Sequence, residues 1–428
     1  MDDSSNKIVF PKFHAGQKKI FNPRMARYSA IRAGRRFGKT TALEVIAAYK
    51  PMKDNWRVGW FAPSYKLVIP TYATIYRYVQ PLIKSASKID GLISLKNGGG
   101  IEFWTLDNPD AGRSRSYDLV IIDEASLKAV GLKEIWQQAI KPTLLDRAGR
   151  AIMAGTPKGV DEDNYFYRAC SFPEEGWTPY HAPTRDNPNL AQEDVARLEI
   201  DNPPLVYQQE FLAEFVDWGG QAFFSQQKML GADGDGVDYP PYCDQVFAVI
   251  DTALKDGLEH DGTAIIFCAR SRFAGIPLII LDWDVVQIEG AMLEDWLPHQ
   301  LAHLEHLARV AVARDGSIGA WIEDKGSGTV LLQQAQRHGL DAQPIQGELT
   351  AMGKEGRALN ISSYVHQERV KLSKTALNKI VNFRGVSKNH LLSQVCGFRM
   401  GTKTPHGMDL LDCFTYAVAI ALGDSDGF

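Results

Sequence analysis

Ala33-Gly34-Arg35-Arg36-Phe37-Gly38-Lys39-Thr40 decides how the first half of this chain is read. It follows an apolar run, Tyr28–Arg32, and precedes a helix-like segment, Thr40–Tyr49. A glycine-containing turn between strand and helix is the setting of a phosphate-binding loop, whose backbone N–H groups and helix N-terminus face anionic oxygens. In that reading Gly34, Arg35, Arg36, Phe37, Gly38, Lys39, Thr40 and Thr41 surround the phosphates of ATP. Lys39 reaches the β/γ-phosphates and the Thr40 hydroxyl ligates Mg²⁺. Ala33 stands where the usual pattern has its first glycine.

Downstream, the apolar run Leu119–Ile122 ends in Asp123-Glu124. Two acids closing a buried strand need a cation. With Lys39 upstream, Asp123 is predicted to hold Mg²⁺ and Glu124 to orient the attacking water. Gln17, in Phe13-His14-Ala15-Gly16-Gln17, can read an adenine edge; the same residues also suit the start of a surface helix. Thr156, in Ala154-Gly155-Thr156-Pro157, follows the next strand and can sense the γ-phosphate, although Gly and Pro also explain a plain turn. Phosphoryl transfer needs a further cation. Arg35 and Arg36 are candidates in cis, Arg113 and Arg115 in trans.

The strands Tyr28–Arg32, Val58–Phe61, Ile101–Thr105, Leu119–Ile122 and Ala151–Ala154 alternate with helical segments, which predicts a parallel α/β sheet. A proline-rich polar stretch (Pro173, Pro179, Pro183, Pro188) and a helical region, Gln192–Phe215, follow. The expected division is an ATPase core over 1–185, a helical lid over 186–217, a Gly/Asp-rich linker over 218–244 and a second domain over 245–428. In the second domain three strands (Val246–Asp251, Thr263–Ala269, Pro277–Trp283), a helix, a strand (Gly319–Glu323) and a helix give the βββαβα order of an RNase H-like domain.

That domain carries scattered acids. Asp251 ends its first strand and is followed by an acidic loop, Asp256–Gly262. Glu323-Asp324 ends a later strand, and Asp409 and Asp412, three apart, share one face of the last helix. Carboxylates from strand ends and one helix can form an oxygen cage for two Mg²⁺ or Mn²⁺ ions. The segment Arg369–Asn389 is basic and can either track a nucleic-acid backbone or form a solvated helix face.

Composition sets the outer limits. The 428 residues suffice for two or three domains, and a net charge of −4 excludes a wholly basic nucleic-acid coat but not a local basic groove. Five widely spaced cysteines with no CxxC pair read as reduced thiols of a cytosolic protein. The polar start, Met1-Asp2-Asp3-Ser4-Ser5, does not read as a signal peptide, and no apolar run reaches membrane-spanning length.

Taken in order, these motifs resemble the large terminase subunit of tailed bacteriophages over about residues 10–424. The resemblance rests on the variant phosphate loop, Phe61-Ala62-Pro63-Ser64-Tyr65, Val120–Ala125, Ala154–Pro157, Glu210–Phe215, Ile322–Gly328 and His406–Asp412. It implies a P-loop ATPase of the ASCE type joined to an RNase H-like nuclease. Three principal acids are implied: Asp251, then Glu323 or Asp324, then Asp409 or Asp412. The family's loop arginine falls on Arg35. Implied partners are double-stranded DNA, the portal protein of the procapsid, a small terminase subunit, and copies of the chain in a pentameric ring. The implied location is the bacterial host's cytoplasm, docked transiently on the procapsid, with no membrane and no place in the mature virion. The implied function is ATP-driven packaging of double-stranded DNA with endonucleolytic cutting of concatemers; the alternative is a helicase-like, nucleic-acid-stimulated ATPase without nuclease activity.

Overall fold

The computed structural model describes residues 8–22, 25–128, 130–220, 222–252, 262–273, 275–288, 292–400 and 408–423. The acidic loop through Asp261, and His406 and Gly407 of the last motif, lie outside the described residues. The chain divides into two compact units: Met1–Ile200 with Pro204–Asp217, and Asp201–Pro203 with Trp218–Phe428.

The first unit is an eight-stranded sheet in the order β3-β4-β5-β2-β6-β7-β1-β8. Its strands are β1 (Tyr28–Ala33), β2 (Arg57–Ala62), β3 (Ile83–Ser87), β4 (Leu92–Leu95), β5 (Gly100–Thr105), β6 (Leu119–Ile122), β7 (Arg150–Gly155) and β8 (Thr178–Ala182). From β5 to β8 all neighbours are parallel; β3 and β4 add an antiparallel edge. The predicted parallel strands are all present. Alternate residues feed two cores, one on each face: Ile31, Trp60, Ile121 and Ile152 on one, Ala30, Phe61, Val120 and Met153 on the other.

Two elements differ from the reading by pattern. The sequence pattern does not anticipate the antiparallel β3–β4 edge, and β8 lies inside the stretch read as proline-rich and polar. Among the described residues β8 pairs only with β1, so Pro179 lies on an edge strand, where a missing N–H is tolerated.

The second unit has a six-stranded sheet, β13-β12-β9-β10-β11-β14, built from β9 (Gln245–Asp251), β10 (Thr263–Arg270), β11 (Leu278–Val286), β12 (Ser317–Ile322), β13 (Ala342–Pro344) and β14 (Val370–Leu372). β9, β10 and β11 are antiparallel, and β12 joins β9 in parallel. The helices Leu293–Val310 and Ser327–His338 complete the predicted βββαβα order. The final helix, Asp409–Leu422, packs against β9 and β10 and is buried on nearly every face.

The basic segment Arg369–Asn389 is not one helix face. It comprises β14, a short helix (Lys374–Asn378) and a hairpin of β15 (Val381–Phe383) and β16 (Val386–Lys388). Much of its charge is used internally. Lys371 is buried, donating to the Leu230 carbonyl at 2.7 Å and pairing with Glu368 at 2.9 Å; Lys374 pairs with Asp238 and Lys379 with Asp282. The stretch 218–244 holds Phe224 and Met229 buried within this unit, with Phe224 edge-on to Phe414 at 5.6 Å. None of the five cysteines is disulfide-bonded. Among the described residues no helix is long and apolar enough to cross a membrane.

Candidate functional site

The first unit gathers its polar residues at the C-terminal ends of the parallel strands, where ligands bind in open α/β sheets. β1 runs into the loop, and Gly38 (φ +91°) turns the chain into the helix Lys39–Asp54. Phe37 is fully buried and anchors the loop against the His14 ring. The Gly34 amide donates to the Ala182 carbonyl and the Arg35 amide to the Glu210 carbonyl. The loop carbonyls are held too: Arg35 O accepts from Thr184 Oγ1 at 2.6 Å, and Arg36 O from Asn187 Nδ2 at 2.8 Å. The loop is thus braced before any ligand arrives.

Lys39 Nζ forms an ion pair with Glu124, and Thr40 Oγ1 donates to Asp123 Oδ2 at 3.1 Å. Burial works against the Lys39 charge, but Glu124 and Asp123 outweigh it and hold the ammonium above its ordinary range. Burial likewise pushes the Asp123 carboxyl up, opposed by Lys39. A hydroxyl and a carboxylate meeting beside a lysine fit a hydrated Mg²⁺ with a nucleotide phosphate. Thr41 is exposed on the outer side of the helix start.

Other expected residues have internal partners. Gln17 is buried: its Nε2 donates to the Gly38 carbonyl at 2.8 Å, and its Oε1 accepts from the His14 amide at 3.0 Å. It therefore braces the phosphate loop, with both ends of its amide engaged. Thr156 Oγ1 donates to the Ala33 carbonyl at 3.0 Å, which ties the end of β7 to the loop. Arg35 Nε pairs with Glu210, a buried acid that also pairs with Lys158 at 3.2 Å. Arg36 is exposed. Arg115 pairs with Glu102 and lies over Trp104, whereas Arg113 pairs with Asp110 at an exposed turn. Sequence reasoning missed Thr184, Asn187, Lys158 and the part played by Glu210, whose partners lie far away along the chain.

In the second unit Asp251 ends β9. The parallel register Ile322↔Ile250 carries Glu323 to its side, and Ala264 lies opposite it on β10. Gly262, two residues before Ala264, donates its amide to Asp409 Oδ2 at 3.0 Å. Burial drives the Asp251 carboxyl well above the usual range, and Asp412, Asp409 and Glu323 push it further. The four carboxylates therefore share one electrostatic site. Asp324 is not brought into it: it is exposed and accepts from Thr329 at 2.7 Å. Three like charges driving up a fourth fit a site that takes cations. Among the described residues no three such side chains yet close on a common point, so they would have to turn to hold an ion.

The first unit has the fold of a P-loop nucleotide-binding domain, and the second has the strand order of an RNase H-like domain. No family model matches the chain. In sequence it is 27% identical over 202 residues to the large terminase subunit of Escherichia phage T5, a match spanning 46% of each protein, so just under half of that relative. It is 24% identical over 399 residues to the large terminase subunit of Thermus virus P23-45, covering 82% of this chain and 77% of the relative. In structure it superimposes on the large terminase of a thermophilic bacteriophage with a TM-score of 0.64 at 12% identity, over 96% of this chain and 100% of that one. That protein has also been solved with ATP-γ-S and with ADP. The resemblance to phage large terminase subunits read from the motifs is borne out.

Proposed function

We propose that this chain is the motor and nuclease of viral genome packaging: it hydrolyses ATP to drive double-stranded DNA through a portal into a procapsid, and cuts concatemeric DNA by a two-metal mechanism. The observation that carries this reading is the coexistence of two sites in one chain: Lys39, Thr40, Asp123 and Glu124 in one unit, and Asp251, Glu323, Asp409 and Asp412 in the other. What supports the packaging role is the likeness to large terminase subunits. The working division is ATPase core 1–185, lid 186–217 and nuclease 245–428, with the connecting stretch 218–244 packed into the second unit through Phe224 and Met229. Its partners would be a portal protein, a small terminase subunit and further copies in a pentameric ring. It would work in the bacterial cytoplasm and leave the procapsid before the virion matures.

In the ATPase, the backbone amides of Gly38 and Lys39 at the helix start and the Lys39 ammonium bind the phosphates. Mg²⁺, held by Thr40 and Asp123, would offset phosphate charge. Glu124 turns from Lys39 to the attacking water, orients it and accepts its proton. Arg35, whose Nε pairs with Glu210 while its side chain stays half exposed, is the candidate second cation in cis. Thr156 relays loop movement to β7 through Ala33. In the nuclease, Asp251 with Glu323 and Asp409 or Asp412 would hold divalent ions that activate water and stabilise the leaving oxygen.

The test is the purified full chain with plasmid DNA, ATP and Mg²⁺ or Mn²⁺. Expected are ATP hydrolysis and metal-dependent cleavage of the plasmid. Hydrolysis with no cleavage in either metal, at any protein concentration, would favour a helicase-like ATPase instead.

A further inference from the structure

Four carboxylates share one electrostatic site in the second unit, and one of them is gripped by cations. Asp412 has both oxygens engaged by cations: Oδ1 by Arg357 and Oδ2 by Lys354 at 2.9 Å. Arg357 is itself buried and fixed from several directions. Its Nη1 donates to the Met352 carbonyl at 2.6 Å, its Nε reaches Thr415 Oγ1 at 3.4 Å, and its guanidinium lies 4.5 Å from the centre of the Tyr416 ring. A guanidinium held this way cannot follow Asp412, and stripping its carboxylate would leave a buried charge uncompensated, which is strongly unfavourable.

Asp409 Oδ2 accepts from the neutral Gly262 amide, and Glu323 pairs at 2.6 Å with Lys325, whose side chain is 62% exposed and can swing into water. A second feature points into the same place. Tyr416 lies one turn after Asp412 and is fully buried. Its hydroxyl has no hydrogen-bond partner among the described residues, although Glu323, Asp412 and Asp251 are within electrostatic reach of it. A buried hydroxyl bonded to none of the described residues can donate to a carboxylate that turns.

We propose that Arg357 is a positioning residue of the nuclease site, a built-in cation that keeps Asp412 out of the metal-ligand set and leaves Asp251, Glu323 and Asp409 as the ligands. The inference rests on the nuclease reading of this unit and goes beyond it by deciding between Asp409 and Asp412.

Calorimetric titration of Mn²⁺ into the full chain tests this by a double-mutant cycle. Asp412→Asn alone bares Arg357 beside the site and should weaken Mn²⁺ binding roughly 10- to 100-fold. Adding Arg357→Gln should remove the repulsion and return affinity to within about threefold of wild type. Asp409→Asn should weaken binding whether or not Arg357 is present. Protection of the buried Cys268 and Cys413 thiols from a thiol reagent reports that the second unit of each variant is folded. A folded double variant that binds Mn²⁺ as weakly as Asp409→Asn makes Asp412 a ligand and overturns the proposal. Should the double variant not fold, Mn²⁺ anomalous scattering from wild-type crystals decides: ions on Asp251, Glu323 and Asp409 with Asp412 still on Arg357 support it, and an ion on Asp412 overturns it. A wild-type chain that binds no Mn²⁺, or an Asp251→Asn chain that binds it normally, overturns the nuclease reading as well.

Discussion

Glu124 occupies the left-handed region, φ 51° and ψ 37°, which costs a non-glycine residue about 1–2 kcal/mol. Strain of this kind persists where surrounding contacts enforce it, here the Lys39 ion pair and the bond from the Glu124 amide to Asp123 at 3.0 Å. Glu124→Gln keeps the shape and removes the base, so nucleotide binding should persist while turnover falls roughly 10²- to 10⁴-fold. Turnover near the wild-type rate would remove Glu124 from the mechanism. Glu44, one turn and a half along the helix from Lys39, tells of a different pressure. Burial first, and then Asp123, push its carboxyl up to about 7. The folded chain thus keeps this proton to a higher pH than the unfolded chain, and the stability it contributes is full below pH ~4.5 and lost as pH rises through about 7. Glu44→Gln cannot ionise, so it should match wild type near pH 5 and be more stable by roughly 1–3 kcal/mol at pH 8. Urea denaturation at the two pH values checks this; equal stability at pH 8 would contradict it.

The phosphate loop is shaped as an element by neighbours remote in sequence. The turn Thr184–Asp186 and the short helix Tyr207–Phe211 press on it so closely that a Cβ on Gly34 would meet the Phe211 carbonyl and come within 2.6 Å of Thr184 Oγ1. Gly34→Ala should therefore cost about 1–3 kcal/mol of stability and displace the loop. Its clearest sign would be weaker binding of a fluorescent ATP analogue, measured together with the thermal midpoint. An alanine variant with unchanged midpoint and affinity would mean that the loop has room the structure does not give it. Strand periodicity made the loop's own strand and helix legible. It gave no sign of β8, because an edge strand bearing Pro179 and exposed side chains lacks the apolar alternation that marks a central one.

Each unit has cores of its own, with Trp60 and Phe61 in the first and Phe267 and Leu281 in the second. Chemistry in one should survive damage to the other. Asp251→Ala should abolish plasmid cleavage in Mg²⁺ or Mn²⁺ and leave the ATPase rate near wild type, in a single preparation assayed for both. Loss of both activities would mean that the acids support the fold of the whole chain, and loss of neither would mean they hold no catalytic ion.

What the sequence by itself determined is what depends on neighbours along the chain. Gly34 and Gly38 around a strand–helix turn, four apolar residues before Asp123, and acids at the ends of Val246–Asp251 and Gly319–Glu323 are local patterns, and local patterns fix local structure. What only the tertiary structure decided are the partners. Adjacent residues in an extended chain point opposite ways, so Glu323-Asp324 reads as a pair until the register with β9 turns Glu323 toward Asp251 and leaves Asp324 with Thr329. Asp409 and Asp412 share a helix face, and no spacing rule separates them; Arg357, 55 positions away, binds Asp412. Gln17 and Thr156 likewise found the backbone of the phosphate loop, 21 and 123 positions off. Such choices come from the packing of remote elements, where burial leaves a polar group few partners and charge selects among them.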